Sequence, residues 1–243
     1  GQHHLWRHDR RFSDRRMDQT AETVTINGVS LALDPQVMSP NMLKVLRSGQ
    51  YEQAEVRELD RIVQDGERIV ELGSGIGLLA LSALKTGRVQ NYAAYEANPK
   101  LVALIERNAR VNNAEFDIHN AVEQPRPTTD TVPFYVRRDF WSSSLSPTPW
   151  DYEEEISVQV ESFDSVRDRY RPTMLIVDIE GGEEQLFRGV ALTGIKKIFM
   201  ELHQNLLGRV GMKAIFDALS ARDFHYDQWH SRGAVVLFSH VLR

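Results

Sequence analysis

The sequence contains no cysteine. Disulfides and thiolate metal sites are therefore excluded, and a cytoplasmic setting is favoured by default. No apolar run approaches the ~20 residues that span a bilayer, so no membrane partner is expected. The first residues, GQHHLWRHDRRFSDRRMDQ, are charged rather than hydrophobic, and no signal peptide is expected there. A basic excess is also lacking. The formal net charge is −5, whereas nucleic-acid binders usually carry a basic stripe or patch, so nucleic acid is not expected as a partner. Internal repeats and low-complexity segments are missing too.

An apolar fraction of 42% and a charged fraction of 26% over 243 residues suit one α/β domain carrying an insertion. The organising stretch is RIVELGSGIG, Arg68 to Gly77. A hydrophobic strand (Ile69, Val70, Leu72) runs into Gly73, Gly75 and Gly77 and then into the apolar run Leu78 to Leu84. Glycines suit a turn of unusual backbone angles where a ligand approaches main-chain N–H groups. An acid, Glu96, closes the next strand in NYAAYEANP. A glycine loop after one strand and an acid after the next describe a nucleoside site, the acid accepting from ribose hydroxyls. Dinucleotide folds prefer G-x-G-x-x-G, and here the third position is Leu78. Glu71, just before the loop, is unfavourable beside a pyrophosphate and suits an ammonium. A ligand with an amino-acid end and a ribose end is S-adenosyl-L-methionine, the cofactor expected here.

The order of elements points to a Rossmann-like α/β fold. Residues 1–22 read as a flexible tail, part of it either an expression remnant or a basic arm for a partner. Residues 23–66 hold a hairpin about Asn27-Gly28 and helical segments, the clearest with a stripe of Val56, Leu59, Ile62 and Val63. From residue 67 to 243, strands and helices alternate as in a parallel sheet, with a pause at about 123–172. That pause holds five prolines and DFWSSSLSPTPWDYEEE, a composition suited to a lid or substrate-binding segment. The alternation resumes at Met174–Asp178 and Lys197–Leu202, with Met212–Ala221 helical, and a final antiparallel pair is expected near Phe224–Gln228 and Ala234–Ser239.

Taken in order, ELGSGIGLLAL, AYEANP, RNARVNN, WSSSL, IVDIEGGEEQLFRG and IFMELH resemble the FkbM-type family of class I S-adenosylmethionine-dependent methyltransferases. The resemblance runs from about Tyr51 to the C-terminus and has no counterpart before Thr23. Ser74 stands where alanine is common. The resemblance implies a seven-stranded sheet with helices on both faces and an antiparallel last strand. It also implies methylation of hydroxyl groups on polyketides or sugars, with Tyr51 and Glu52 closing over the cofactor.

On this reading Gly73, Ser74, Gly75 and Gly77 cradle the methionine portion with their amides, Glu71 takes its ammonium, and Glu96 the ribose. Ala97 and Asn98 flank the adenosine, and Asn120, Ala121 and Val122 hold adenine. Methyl transfer from a sulfonium mainly needs alignment, but a hydroxyl acceptor must also lose its proton to a base or a metal-bound state. Asp178 and Glu180 end one strand, and Glu201 and His203 end the next. His203 is the expected general base, with Glu201 and Asp178 beside it. The alternative is a divalent cation on Asp178, Glu180, Glu201 and His203, since oxygen-rich sites suit Mg²⁺ or Mn²⁺. Trp141, Ser142, Ser143 and Glu180 are expected at the acceptor, a small-molecule or glycan hydroxyl. Competing functions are an NAD(P)-dependent oxidoreductase on a similar sheet, disfavoured by Leu78 and by the lack of a Tyr-x-x-x-Lys pair, and a non-catalytic cofactor-binding protein. Oligomeric state is not legible in the sequence.

Overall fold

The computed structural model describes residues 22–242; the expected tail therefore lies, apart from Glu22, outside the described residues. Thr23–Ile26 (β1) and Val29–Ala32 (β2) pair antiparallel. Asn27 and Gly28 take φ of 50° and 72°, as a type I′ turn requires. Pro40–Ser48 (α1) begins at Ser39, whose side chain accepts from the Met42 amide, and stops at left-handed Gly49. Gln53–Ile62 (α2) buries Val56, Leu59 and Ile62, the stripe read from the sequence. Glu67–Leu72 (β3), Leu78–Lys85 (α3), Val89–Tyr95 (β4), Pro99–Val111 (α4) and Asp117–His119 (β5) follow. Asn98 caps α4 by accepting from the Lys100 amide, and Pro99 occupies the first turn, where its missing N–H costs nothing.

The insertion builds its own small sheet from Val122–Gln124 (β6), Thr131–Val136 (β7) and Glu154–Ser162 (β8), in the order β6-β8-β7. The main fold resumes with Phe163–Tyr170 (α5), Met174–Val177 (β9), Glu183–Gly189 (α6), Lys197–Glu201 (β10), Gln204–Ser220 (α7), Phe224–Tyr226 (β11) and Val235–His240 (β12). The main sheet has seven strands in the order β11-β12-β10-β9-β3-β4-β5. All neighbours are parallel except β12, which is antiparallel to both β10 and β11. The expected fold class is the observed one.

Alternation along β3 divides the core. Ile69 faces a layer with Met42, Leu59, Leu79 and Leu104 from α1 to α4. Val70 and Leu72 face Phe163, Phe187, Ile215 and Leu219 from α5 to α7. Helices thus cover both faces, as a mostly parallel sheet requires. Chain order leaves β3 toward β4 and β5 on one side and toward β9 and β10 on the other, so the topological switch lies between β3 and β9. Ligands bind beyond the carboxyl ends of strands at such a point. No helix among the described residues is long and apolar enough to cross a membrane.

Local details add to the expectation. The helix after the glycine loop starts at Leu78, because Gly77 takes φ 86°. The helix expected at 212–221 starts at Gln204, with a non-helical Gly208 inside it. Helix α5 was not anticipated: FDSVRDRY buries only Phe163 and Val166, too few apolar positions to register a 3.6-residue period. Elsewhere the asparagines of RNARVNN act as clamps. Buried Asn108 accepts from the Ala32 amide at 2.8 Å and donates to the Ile76 carbonyl at 2.9 Å, tying the N-terminal hairpin to the glycine loop.

Arg137 orders the serine-rich segment. It is 4% exposed, and its guanidinium donates to the carbonyls of Ser142 and Ser146 at 2.9 and 2.8 Å and to Ser144 Oγ at 3.0 Å. Hydrogen bonds from a charged donor contribute about 1.5–3 kcal/mol each. Arg137→Ala is expected to accelerate amide exchange over residues 138–150 by at least about tenfold, a local opening cost of roughly 1.4 kcal/mol, while the central strands keep their protection. Unchanged exchange in that segment would show that the loop is ordered without Arg137.

Candidate active site

The glycine loop owes its shape to close approach. Gly73, Gly75 and Gly77 have φ of 85°, 56° and 86°, where a side chain is strained. A Cβ on Gly73 would lie 1.9 Å from the Asp178 carbonyl oxygen, and one on Gly75 would lie 3.2 Å from the Tyr51 hydroxyl. The expectation that these residues offer their amides to a ligand is corrected. Gly73 and Ser74 donate to the Tyr95 carbonyl at 2.9 and 3.0 Å, and Gly77 donates to that of Ser74. Gly75 donates to Glu96 Oε1 at 2.9 Å. The amides of Gly73, Ser74, Gly75 and Gly77 are thus engaged within the chain, and what the glycines offer is the absence of side chains.

Glu96, 7% exposed, stands at the end of β4 with Oε1 on the Gly75 amide and Oε2 on the Asn98 amide at 2.8 Å. Each oxygen retains a further lone pair for a hydroxyl donor. Burial pushes its carboxyl up to about 7, against the pull of the amides of Asn98, Gly75 and Ala97. The cleft it faces is lined at one end by Ala97, Leu101, Ala121, Val122 and Phe134, a thin apolar slot, and at the other by Tyr51, Glu52, Gly73, Gly75 and Asp178. Phe140 and Trp141 complete the wall. Tyr51 stacks on Trp141 at 6.1 Å and meets Phe140 edge-on at 6.3 Å.

At the carboxyl ends of β9 and β10 several acids converge on one imidazole. His203 Nε2 lies 3.5 Å from Glu180 Oε1 and 3.6 Å from Glu201 Oε1. Donor atoms of Asp178, Glu201 and His203 lie within 4.8 Å of one another. Asp178 Oδ1 and His203 Nδ1 are buried without a hydrogen-bond partner among the described residues. Burial, then Glu180 and Glu201, raises Asp178 well above the ordinary carboxyl range. Burial raises Glu180 to about 7, partly opposed by His203. Burial favours neutral His203, yet Glu201, Glu180 and Glu183 together hold its pKa above the usual value. Asp178 and Glu180 reach the cleft wall, and Glu201 and His203 stand behind them. A second groove opens from the same point, sharing Leu145, Ile179 and Glu180 with the cleft. Its wall includes Gln124, Ser142, Ser144, Thr148, Trp150, Gln185 and Asn205, and Glu180 is the charged residue on it.

Comparison with known proteins adds the family. The profile described as "Methyltransferase FkbM domain" matches residues 73–227, more than half of the chain. The chain belongs to the FkbM methyltransferase family. That membership overturns the nicotinamide oxidoreductase alternative. Among curated proteins, the ribosomal protein L11 methyltransferase of Alteromonas mediterranea is 34% identical over 79 residues, 32% of this chain and 27% of that protein. The corresponding protein of Bacillus cereus strain Q1 is 37% identical over 60 residues, 25% of this chain and 19% of its own. The chain thus spans about a fifth to a quarter of the length of these curated relatives. Among solved structures, a methyltransferase from Pyrococcus furiosus shares 12% identity over 88% of this chain and 90% of its own, with a TM-score of 0.48. A candidate tRNA (m1A22) methyltransferase of Streptococcus pneumoniae, solved with S-adenosyl-L-methionine, shares 10% over 76% of this chain and 72% of its own, TM-score 0.46. A relative described by a tRNA substrate lends no support to the exclusion of nucleic acid drawn from net charge.

Within this FkbM methyltransferase, the expected residues fall into three groups. Tyr51, Gly73, Gly75, Glu96, Ala97, Ala121 and Val122 line the cleft, as do Trp141, Ser143, Asp178 and Glu180, whereas Ser142 lines the groove. Ser74, Gly77, Asn98 and Asn120 shape it from behind: Asn120 donates to the carbonyls of Glu96 and Ala97 at 2.9 and 2.8 Å, holding the turn that presents the acid. Glu71 lies off the cleft wall, 2% exposed, accepting from the Tyr92 hydroxyl at 2.6 Å. Of the wall residues that escaped the sequence reading, two matter most to the chemistry of the slot. Phe134 comes from the insertion, and Glu123 is an acid with Oε1 buried and unpartnered among the described residues. Its position directly after Asn120-Ala121-Val122 was the available signal.

Glu71 and Glu96, like Glu180, are pushed up to about 7 by burial. The native state therefore holds protons that the unfolded chain, with carboxyls near 4.3, has released. Stability must fall as pH rises from about 4.5 through 7 wherever the native state binds more protons. The ligand-free protein is expected to melt at a lower temperature at pH 8 than at pH 5.5, with Glu71→Gln reducing the difference. A melting temperature that rises over this interval would contradict the assignment.

Proposed function

We propose that this FkbM methyltransferase transfers a methyl group from S-adenosyl-L-methionine to a hydroxyl of an uncharged small molecule or glycan. The observation that carries the reading is the junction of cleft and groove at Glu180, where a nucleoside-shaped site meets a polar, uncharged wall beside a cluster of acids. The cleft fits the cofactor. Gly73 and Gly75 leave room that a Cβ would fill, Glu96 offers ribose acceptors, and the slot of Ala97, Leu101, Ala121, Val122 and Phe134 suits adenine. Glu123, an acid on the same wall, suits the adenine amino group. When bound, S-adenosyl-L-methionine supplies an electrophilic methyl carbon on a good leaving group.

The chain's own part is to orient the acceptor and take its proton. Glu180 faces both cleft and groove and stands 3.5 Å from His203. In this reading the hydroxyl proton passes to Glu180, and His203, held by Glu201, balances the change in charge. His203 acts from behind the wall, rather than as the direct base expected from its near-neutral pKa. Serines, glutamines, Asn205 and Trp150 in the groove suit a hydroxylated ligand, because amides and hydroxyls both donate and accept. Among the described residues the groove is lined by no lysine or arginine, which disfavours a polyanion. A second reading, a divalent cation on Asp178, Glu201 and His203, is favoured by their mutual 4.8 Å spacing; activation of chelator-treated enzyme by Mg²⁺ or Mn²⁺ would support it.

The test is methyl transfer from labelled S-adenosyl-L-methionine to panels of neutral sugars, hydroxylated polyketides, tRNA and protein. Turnover confined to the hydroxylated neutral panel supports the proposal, and turnover confined to tRNA or protein refutes it. Given an acceptor, Glu180→Gln should lower kcat by about 10²-fold or more, the usual scale for a lost proton acceptor, with S-adenosylhomocysteine affinity kept. The wild-type rate should rise with pH through about 7 as Glu180 ionises. Equal rates for wild type and Glu180→Gln would remove Glu180 from the chemistry.

A further inference from the structure

The acid expected to receive the cofactor's ammonium is not available for it. Glu71 is committed to the Tyr92 hydroxyl at 2.6 Å and lies off the cleft wall. Another acid occupies the position. Glu52 lines the cleft beside Tyr51, Gly73 and Gly75, at the end opposite the adenine slot. It is the N-cap residue immediately before α2, with φ 48° and ψ 29°, a left-handed conformation that is strained for a non-glycine residue. Its side chain makes no capping hydrogen bond to the helix, the usual reason for an acid at that position. The charged groups acting most strongly on it are all acids, Glu55, Glu71 and Glu201. A half-buried carboxylate among like charges is costly unless a cation joins it.

We propose that Glu52 is the residue that binds the α-ammonium of the cofactor's amino-acid end, with Tyr51 covering the same end over Gly75. The inference rests on the S-adenosyl-L-methionine reading above and adds to it the group that distinguishes a complete cofactor from a bare nucleoside. Geometry sets the order along the cleft. Glu96 fixes the ribose next to the Gly75 amide, the slot beyond Ala97 takes the base, and the chain of the amino acid runs the other way over Gly73. Glu52 is the acid on the wall at that end apart from Asp178, whose backbone is packed against Gly73 and whose side chain belongs to the acid cluster. Left-handed Glu52 lines the cleft and leaves the first turn of the helix uncapped.

The deciding measurement compares two ligands by calorimetry: S-adenosylhomocysteine, and 5′-methylthioadenosine, which keeps the nucleoside thioether and lacks the amino-acid end. Glu52→Gln should weaken S-adenosylhomocysteine by about tenfold or more, the scale of one lost charged contact, and leave 5′-methylthioadenosine within about twofold. Retained 5′-methylthioadenosine binding shows at the same time that the variant is folded. Glu71→Gln should change the ratio of the two affinities little, and Glu52→Asp should restore part of the loss. Equal weakening of both ligands in Glu52→Gln, no weakening of either, or a selective loss in Glu71→Gln or Asp178→Asn in its place, overturns the assignment. Failure of the wild-type protein to bind either nucleoside refutes the cofactor reading itself, a different result from any of these.

Discussion

The contact on which the site depends is between two backbones. Gly73, at the end of β3, lies so close to the Asp178 carbonyl, at the end of β9, that a single carbon would not fit between them. These strands are neighbours in space but separated by some hundred residues of chain, because the sheet reverses its order between them. Their close approach brings the glycine loop against the acid cluster. The glycine loop and the acids Asp178 and Glu180 therefore line one cleft. Without that approach, the cleft and the groove would be separate features of the surface.

Electrostatics divides the sheet end from end. At the amino ends of the strands Glu67 is buried, yet it accepts from Lys197 at 2.5 Å and from Thr173 at 2.6 Å. Burial pushes its carboxyl up, but those partners and the Gln64 amide more than offset this, and its pKa is lowered. At the carboxyl ends Glu52, Glu123, Asp178 and Glu180 are raised instead, with burial the leading cause in each. One end is finished as structure, with its charges compensated internally. At the other, Asp178 Oδ1 and Glu123 Oε1 are buried without a hydrogen-bond partner among the described residues, while Glu180 faces His203, so the acids there outnumber the groups that offset them, a condition that a cationic ligand, a proton donor or a metal can relieve.

Much of the fold was legible because its signals are local. The alternation of apolar strands with amphipathic helices, the Asn27-Gly28 turn and Pro99 behind a capping Asn98 each act within a few residues. The glycine run and Glu96 were legible for the same reason, since each closes its own strand. Helix α5 was not, because two buried residues make no detectable period. Arg137 was not, because its value comes from carbonyls as far as Trp150, 13 residues away, whose directions depend on the loop it orders. Glu71 was misread in role: strand alternation places it inward, but only the opposing Tyr92 reveals that its carboxylate is occupied.

By itself the sequence determined the alternation of strands and helices apart from α5, the parallel sheet and the membership of a methyltransferase family, since periodicity, turn chemistry and motif order are properties of contiguous residues. The tertiary structure alone decided which acids line the cleft, which loop amides are engaged within the chain and that Glu71 is turned to Tyr92. Those outcomes depend on distances between segments far apart in the chain, and a carboxylate's role is set by the groups that surround it in space.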